Sequence, residues 1–343
     1  MTRARRPAKR HRAAAGDDDL YLTVGAYVVP QLLYVAARLG LAELLLAGPR
    51  SAEDLAEQTG AHAPTLARVL RALASVGVFA RTRDDRWRLT AAAHPLLRDH
   101  PRSRRAAVLF AGHEQLRAWG EVMHAVSTGL PAFDRAFGES LHQHLARDEA
   151  AMADAEALRA RRAARRDQAV ADALDLAGAR TIVDVGGGGG ELLIELLSRR
   201  PGARGLLVEA PHVAARTRAR LAALGWGERC EVVVADAREQ LPAGHDVYLL
   251  AEVVHCYDDA DAARILRNCR GRQVIVVERV LPPVARASAD RLADLHMLVM
   301  YGGRERTRRE YADLLDAADL RLRRVVPTGS WVSILEAAPR VAR

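Results

Sequence analysis

Lysine is almost missing from this chain of 343 residues: Lys9 is the only one, and arginine carries nearly all of the positive charge. Basic side chains number 51 against 43 acidic ones, a net charge of +8 that by itself suggests nucleic acid. Six of those basic residues fall in the first twelve positions, in MTRARRPAKRHR, and alanine and arginine abound everywhere else, as in a GC-rich coding sequence. The charge is therefore discounted as a sign of nucleic-acid binding, and residues 1–17 are expected to be a basic, disordered tail. Cysteine is also scarce. Cys230, Cys256 and Cys269 are odd in number and lack metal-ligand spacing, which excludes a disulfide framework or a structural zinc site and suits a reducing cytoplasm. No apolar run approaches the roughly 20 residues of a membrane span. The basic start leads into AAAGDDD rather than an apolar signal core, so the expected location is cytoplasmic, with no membrane partner. Aromatics make up only 4% of the chain, so each one merits a reason.

What is present is a soluble globular composition, half hydrophobic and 27% charged, long enough for two domains with cores of their own. The most telling stretch is TIVDVGGGGGELLIELL, residues 181–197. A short apolar run flows into five glycines and then into a helical pattern, the nucleotide-cradling corner of a doubly wound α/β domain. Glycine lets the backbone approach a ligand and adopt positive φ, and the helix presents free N–H groups there. Beyond it TIVDVG, ARGLLVEA, CEVVVADA, DVYLLAEVV and QVIVVERV alternate with helical segments, which predicts a parallel sheet covered on both faces.

Upstream, Val28 to Leu46 is apolar at helical spacing, and Ser51-Ala52-Glu53-Asp54 offers a helix cap with acids in the first turn. SAEDLAEQTG, APTLARVLRALASVGVF and ARTRDDRWRLT read as helix, helix and polar hairpin, a winged-helix arrangement over 18–100. The helix Pro64 to Val76 has only Arg68 and Arg71 as charges, which predicts packing or dimerisation rather than reading of DNA, so no nucleic-acid partner is expected. Residues 101–178 read as a helical connector contributing to a substrate pocket. Trp119, Phe133 and Phe137 in it would wall that pocket or anchor helices, and EALRARRAARRDQAV reads as a solvated helix. Residues 179–343 then form the cofactor-binding domain.

Ligands of such sheets bind beyond the strand C-termini, so the polar residues there carry the chemistry. Glu209, after LLV, can accept from two ribose hydroxyls, or cap the helix that starts at Pro211. Asp236, after EVVVA, can accept from an adenine amino group. The glycines fit a compact D-x-G-x-G-x-G turn, Asp184, Gly186 and Gly188 leading it, better than a dinucleotide fingerprint. An adenosine with an amino-acid tail is the expected ligand. His255, in LLAEVVHCYDD, lies where a strand gives way to a helix, with Glu278 and Glu305 as candidates to orient it. A neutral imidazole can take a proton from a hydroxyl while a carboxylate holds its other N–H.

The run from VDVGGGGGELL through LVEAPHV, VVADA, LAEVVHCYDD, VVERVLPP and GGRERT resembles the S-adenosylmethionine-dependent O-methyltransferases of the plant caffeate and bacterial natural-product type, over nearly the whole chain. The resemblance implies a Rossmann-like α/β class I methyltransferase domain, an N-terminal all-helical winged-helix dimerisation domain, an intertwined homodimer, S-adenosyl-L-methionine as cofactor and no metal. It implies that Gly186 and its neighbours approach the methionine portion, Glu209 the ribose and Asp236 the adenine. His255 would be the general base, supported by Glu278 and Glu305. At four positions the chain departs from the family's pattern: Cys256 replaces an Asp after the base, Ala237 a bulky residue flanking the adenine, Ala251 a Lys, Arg or Ser near the cofactor, and Arg159 a methionine. The Pro-Gly turn expected before the fifth strand is also missing from NCRGRQVIVVE. Arg159, with Arg162, is a candidate to pair a carboxylate of the substrate or the cofactor, against the alternative of a solvated helix. Asp294, His296, Met297 and Met300 are candidates for the acceptor pocket, against packing at a dimer interface. The expected acceptor is a hydroxyl of a small aromatic secondary metabolite. The alternatives are a relative that binds the cofactor but performs hydroxylation or cyclisation, and a DNA-binding regulator.

Overall fold

The computed structural model describes residues 23–283 and 289–340, so the tail 1–17 lies outside the described residues. The chain divides into two compact units, one up to His113 and one from Glu114 onward.

The first unit is a helical bundle with a small wing. Its helices are α1 (Val28–Arg38), α2 (Leu41–Leu46), α3 (Ala52–Thr59) and α4 (Ala63–Ser75), followed by strands β1 (Phe79–Arg81) and β2 (Trp87–Leu89) and helix α5 (Arg105–Phe110). The stretch from Val28 to Leu46, apolar at helical spacing, forms two helices, because Gly40 takes φ 66° and turns the chain between α1 and α2. The Ser51 cap forms as expected: its hydroxyl accepts the Asp54 amide at 3.0 Å, and the Asp54 carboxylate accepts the Ser51 amide at 3.1 Å. Leu66, Leu70 and Leu73 of α4 recur at helical spacing and are spent on a core with Leu41, Leu45, Leu55, Phe79 and Trp87. Phe79 pairs with Leu89 across the antiparallel wing.

The second unit opens with α6 (Leu116–Gly120), α7 (Val122–Thr128), α8 (Ala132–Phe137), α9 (Leu141–Arg147) and the long α10 (Glu149–Ala173). Phe133 is fully buried and stacks on Phe137 with centroids 4.3 Å apart, His144 lying edge-on, so these two aromatics anchor helices. The arginine-rich helix is solvated only in part: Ala163, Asp167 and Val170 of α10 are buried.

The sheet domain follows as β3 (Thr181–Val185), α11 (Glu191–Ser198), β4 (Arg204–Glu209), α12 (Pro211–Ala223), β5 (Cys230–Val234), β6 (Val247–Ala251), α13 (Asp259–Asn268), β7 (Gln273–Glu278), the short β8 (Val280–Leu281), α14 (Ala289–Tyr301), β9 (Arg306–Thr307), α15 (Arg308–Ala317), β10 (Leu320–Pro327) and β11 (Ser333–Pro339). The strand order is β10-β11-β7-β6-β3-β4-β5. β3 to β7 are parallel as expected. β11 runs antiparallel to both β7 and β10, so the sheet is mixed rather than wholly parallel. With only Thr328–Val332 between β10 and β11, no helix can cross over, and a hairpin is the sole connection.

Strand side chains alternate between two cores, as a sheet covered on both faces requires. Val183, Val185, Tyr248, Leu250, Val274 and Val276 face one layer with α13 and α15. Ile182, Leu249, Ile275 and Val277 face the other, with α10, α11 and α12. Leu249 is fully buried, which is worth about 2–3 kcal/mol of transfer free energy. The strand order reverses at β3 and β6, so the crevice beyond their C-termini is where a ligand belongs.

Candidate active site

The glycine turn after β3 is built around a buried carboxylate. Asp184 is 1% exposed, and neither of its oxygens has a hydrogen-bond partner among the described residues. Gly186, Gly188 and Gly190 take φ of 68°, 59° and 82°, conformations that L side chains rarely adopt. A Cβ on Gly187 would run into the Asp184 carboxylate. Burial above all, with Asp167, Glu209 and Glu191 adding to it and Arg166 opposing, lifts the Asp184 pKa to about 7. Glu209 Oε1 accepts the Gly188 amide at 2.7 Å, and Oε2 accepts the Ala210 amide at 3.1 Å. Glu209 thus ties the glycine turn to the residue before α12, a helix whose N-cap, Ala210, has no side-chain cap. Burial raises its pKa, and those two amides oppose the rise. Asp236 is more exposed and engages Arg238, whose Nη2 donates to Oδ2 at 2.7 Å. Ala237 is half-buried, with its carbonyl accepting from Asn268 at 2.9 Å, and Ala251 ends β6 half-buried.

Past β6 the backbone turns sharply. Glu252 has φ 55°, an outlier for a non-glycine residue, held by its amide on the Val277 carbonyl and by Arg166 at 2.7 Å and Trp331 Nε1 at 3.0 Å on its carboxylate. The chain then enters the 3-10 turn Val254–Cys256, which carries His255. His255 Nδ1 lies 3.2 Å from Glu305 Oε1 and 3.3 Å from Glu278 Oε2. Glu278 Oε1 also accepts the amides of Val253 at 3.0 Å and His255 at 3.2 Å. Glu278 is 0% and Glu305 3% exposed, and the outer oxygen of Glu305 is without a hydrogen bond among the described residues.

The electrostatics of this cluster are those of a proton store. Burial works against the imidazolium, yet the Glu278 carboxylate first, then Cys256 and Glu305, outweigh it and hold the His255 pKa well above its ordinary value. Burial lifts Glu278 to about 7, opposed by His255 and reinforced by Glu305 and Glu252. With Nδ1–H committed to Glu305 Oε1 and facing the Glu278 charge, Nε2 is the nitrogen available to take a proton.

Of the acceptor-pocket candidates, the structure brings Trp119 and His296 together: Trp119 Nε1 donates to His296 Nδ1 at 3.2 Å and the rings stack at 6.3 Å. Burial first, then the charges of Arg162 and His255, push the His296 pKa down to about 4, so it stays neutral. Asp294 is committed to the Glu305 backbone amide at 2.9 Å. Met297 is half-buried and Met300 is buried, on a helix α14 that packs against α6, α7, α8 and the His255 turn. Arg159 is exposed and reaches Met152 Sδ at 3.9 Å, while Arg162 lies over the Trp331 ring. Sequence reasoning missed Glu252, Arg166 and Arg306. Their partners are distant in the chain, and the one local signal was an arginine directly after Glu305.

The turn, the strand-end carboxylates and the histidine cluster gather beyond the C-termini of the parallel strands, where an α/β protein of this class binds its ligand. Residues 119–321 match the O-methyltransferase domain and residues 21–99 the O-methyltransferase dimerisation domain, so the chain belongs to the S-adenosylmethionine-dependent O-methyltransferase family. It is 42% identical to the phenazine O-methyltransferase PhzM of Lysobacter antibioticus, over 92% of this chain and 94% of that one. It is 39% identical to the mitomycin biosynthesis 6-O-methyltransferase of Streptomyces lavendulae, over 94% of each. Among solved structures, the O-methyltransferase NcsB1 from neocarzinostatin biosynthesis, crystallised with S-adenosylmethionine and 2-hydroxy-5-methyl naphthoic acid, superposes with a TM-score of 0.83 at 33% identity, covering 91% of this chain and 96% of that one. The protein is an S-adenosylmethionine-dependent O-methyltransferase with a helical dimerisation domain. No helix among the described residues is long and apolar enough to cross a membrane.

The glycine turn fits that cofactor. An orphaned buried carboxylate, against which a Cβ on Gly187 would press, suits a ligand that brings its own donors, as an α-amino group does.

Proposed function

We propose that the chain methylates a phenolic or enolic hydroxyl of a small aromatic secondary metabolite, with His255 as general base. The observation that carries this reading is the convergence of His255 Nδ1 on two buried carboxylates within 3.3 Å, one strand over from the glycine turn. S-adenosylmethionine, when bound, supplies a sulfonium methyl that is already a strong electrophile, and its positive charge disfavours an imidazolium close by. The protein then has to align the acceptor and remove its proton. Asp184, Gly186 and Gly188 hold the amino-acid tail, Glu209 the ribose, Asp236 the adenine, and Ala237 and Ala251 flank the nucleoside. His255 Nε2 takes the hydroxyl proton. Glu278 and Glu305 keep Nδ1–H oriented and stabilise the imidazolium that forms.

Trp119, His296 and Met297 line the acceptor side, with Asp294 and Met300 supporting them. Arg159 meets a carboxylate carried by the acceptor. The Lysobacter relative is named a phenazine O-methyltransferase and NcsB1 was crystallised with a naphthoic acid, both aromatic, which supports an aromatic acceptor here. The dimerisation domain supports a homodimer. The test is calorimetric binding of S-adenosylmethionine, then mass-spectrometric screening of phenols for the gain of one methyl group. Tight cofactor binding with methylation of at least one phenol is expected. Absence of cofactor binding contradicts the reading.

A further inference from the structure

Arg306 is enclosed completely, at 0% exposed, where an arginine is stable only if its charge and donors are matched. Its planar fork carries five N–H donors. The three nitrogens meet four oxygens through five contacts of 2.7–3.3 Å. Nε donates to Asp259 Oδ1 at 2.9 Å, and Nη2 lies 2.7 Å from the same oxygen. Nη2 also donates to the Tyr257 carbonyl at 3.0 Å, and Nη1 to the carbonyls of Val254 at 3.3 Å and Arg304 at 3.2 Å.

Those carbonyls are not scattered. Val254 and Tyr257 bracket His255, and Arg304 precedes Glu305. One rigid group thus joins the turn that carries the histidine to the loop that carries one of its carboxylates. The seam is tight elsewhere too. The Arg304 amide donates to the His255 carbonyl at 2.9 Å, and a Cβ on Gly303 would run into that same carbonyl. Parallel pairing of Val280 with Arg306 brings in the strand that follows Glu278.

We propose that Arg306, with Asp259 as its counter-ion, is the positioning residue of the His255–Glu278–Glu305 cluster, setting the distances from Nδ1 to both carboxylates. The proposal rests on the reading of His255 as general base. Charge alone does not fill this role. A lysine ammonium is a point donor and cannot bridge carbonyls on two separate segments as a guanidinium fork does. A cation that merely balanced Asp259 would tolerate that exchange.

The test is Arg306→Lys, with Asp259→Asn as the second variant. Asp259 lies at the exposed end of the pair, and asparagine keeps one acceptor oxygen. For Arg306→Lys the expected result is a folded protein with an unchanged S-adenosylmethionine dissociation constant, kcat down about tenfold or more and KM little changed. The 15N resonances of the His255 imidazole are expected to shift, with a lower titration midpoint, because Glu278, Glu305, Cys256 and the nearby Arg279 no longer face the ring at the same distances. Asp259→Asn is expected to move the same signals in the same direction by less, and decides the matter if Arg306→Lys does not fold. Unchanged imidazole resonances and unchanged kcat in a folded variant overturn the proposal, as does a kcat loss in folded protein accounted for entirely by weaker cofactor binding. The imidazole signal also separates the two readings. If His255→Ala keeps full methyl transfer, the general base is misassigned, while the resonances of Arg306→Lys still report whether the clamp holds the ring.

Discussion

Glu278→Gln removes a charge at almost no cost in volume. Glu278 is fully buried, and its Oε1 accepts two backbone amides, which a glutamine oxygen can also accept, so the turn that carries His255 stays in place. What is lost is the carboxylate charge 3.3 Å from Nδ1. Two unit charges at that distance attract by about 5 kcal/mol at an effective dielectric near 20. That is a ceiling, since the carboxylate spreads its charge over two oxygens and Glu305 remains at 3.2 Å. A third of it, about 1.5–2 kcal/mol, corresponds to somewhat over one pKa unit. His255 is raised in the folded protein and must be neutral to act as a base, so activity climbs with pH through its pKa. Removing Glu278 lowers that pKa and moves the acidic limb of kcat/KM down by about one unit. The plateau falls about tenfold or more, because the base is weaker and its imidazolium less stabilised. The assay is initial rate against pH, from about pH 5 to about pH 10, with saturating cofactor. An acidic limb that stays put or moves upward, or an unchanged plateau, refutes the argument that Glu278 sets the protonation of His255.

Further expectations follow from the glycine turn and from α10. Asp184→Asn removes a buried carboxyl whose pKa is raised from 3.8 to about 7, so its contribution to stability is present below about pH 4 and lost as pH rises through about 7. The cofactor-free variant should therefore melt higher than the parent at about pH 8, by less than a ceiling of about 4 kcal/mol. Calorimetry showing no gain there contradicts an ionised Asp184 without partners. Gly187→Ala forces a methyl group against the Asp184 carboxylate, and a tenfold or greater weakening of S-adenosylmethionine binding is expected with the circular dichroism spectrum kept. Unchanged affinity would mean that the turn does not cradle the cofactor. Arg159→Ala should weaken binding of a carboxylated acceptor more than that of its methyl ester, and equal losses for both rule out a carboxylate contact.

The sheet was legible because a strand buried on both faces leaves an unbroken apolar run, as in TIVDV and QVIVVE. The glycine turn and His255 stood at the ends of such runs. The residues alone made Glu278 and Glu305 candidates to orient His255, and the family resemblance implied their supporting role; no periodicity links them, since Glu305 is 50 positions away. β10 and β11 escaped the reading. LRLRRVVP is an edge strand, half-exposed and rich in arginine, and nothing in it signals the reversed direction of its neighbour. Arg306 was hidden for the opposite reason. A run such as GGRERT looks like a solvated charged loop, and only tertiary packing turns one of its arginines into a charge as completely enclosed as Glu278. Glu252 was passed over because its positive φ and its Arg166 partner, 86 residues upstream, are properties of the fold.

The central claim is that His255 removes the acceptor's proton within a site already complete for the methyl donor. His255→Ala tests it most directly, through the single-turnover rate of methyl transfer at saturating S-adenosylmethionine, with the cofactor dissociation constant measured on the same preparation. A rate reduced by about 10²–10⁴, with the dissociation constant within about twofold of the parent, is the predicted result. A rate within a few-fold of the parent at equal cofactor affinity would contradict it.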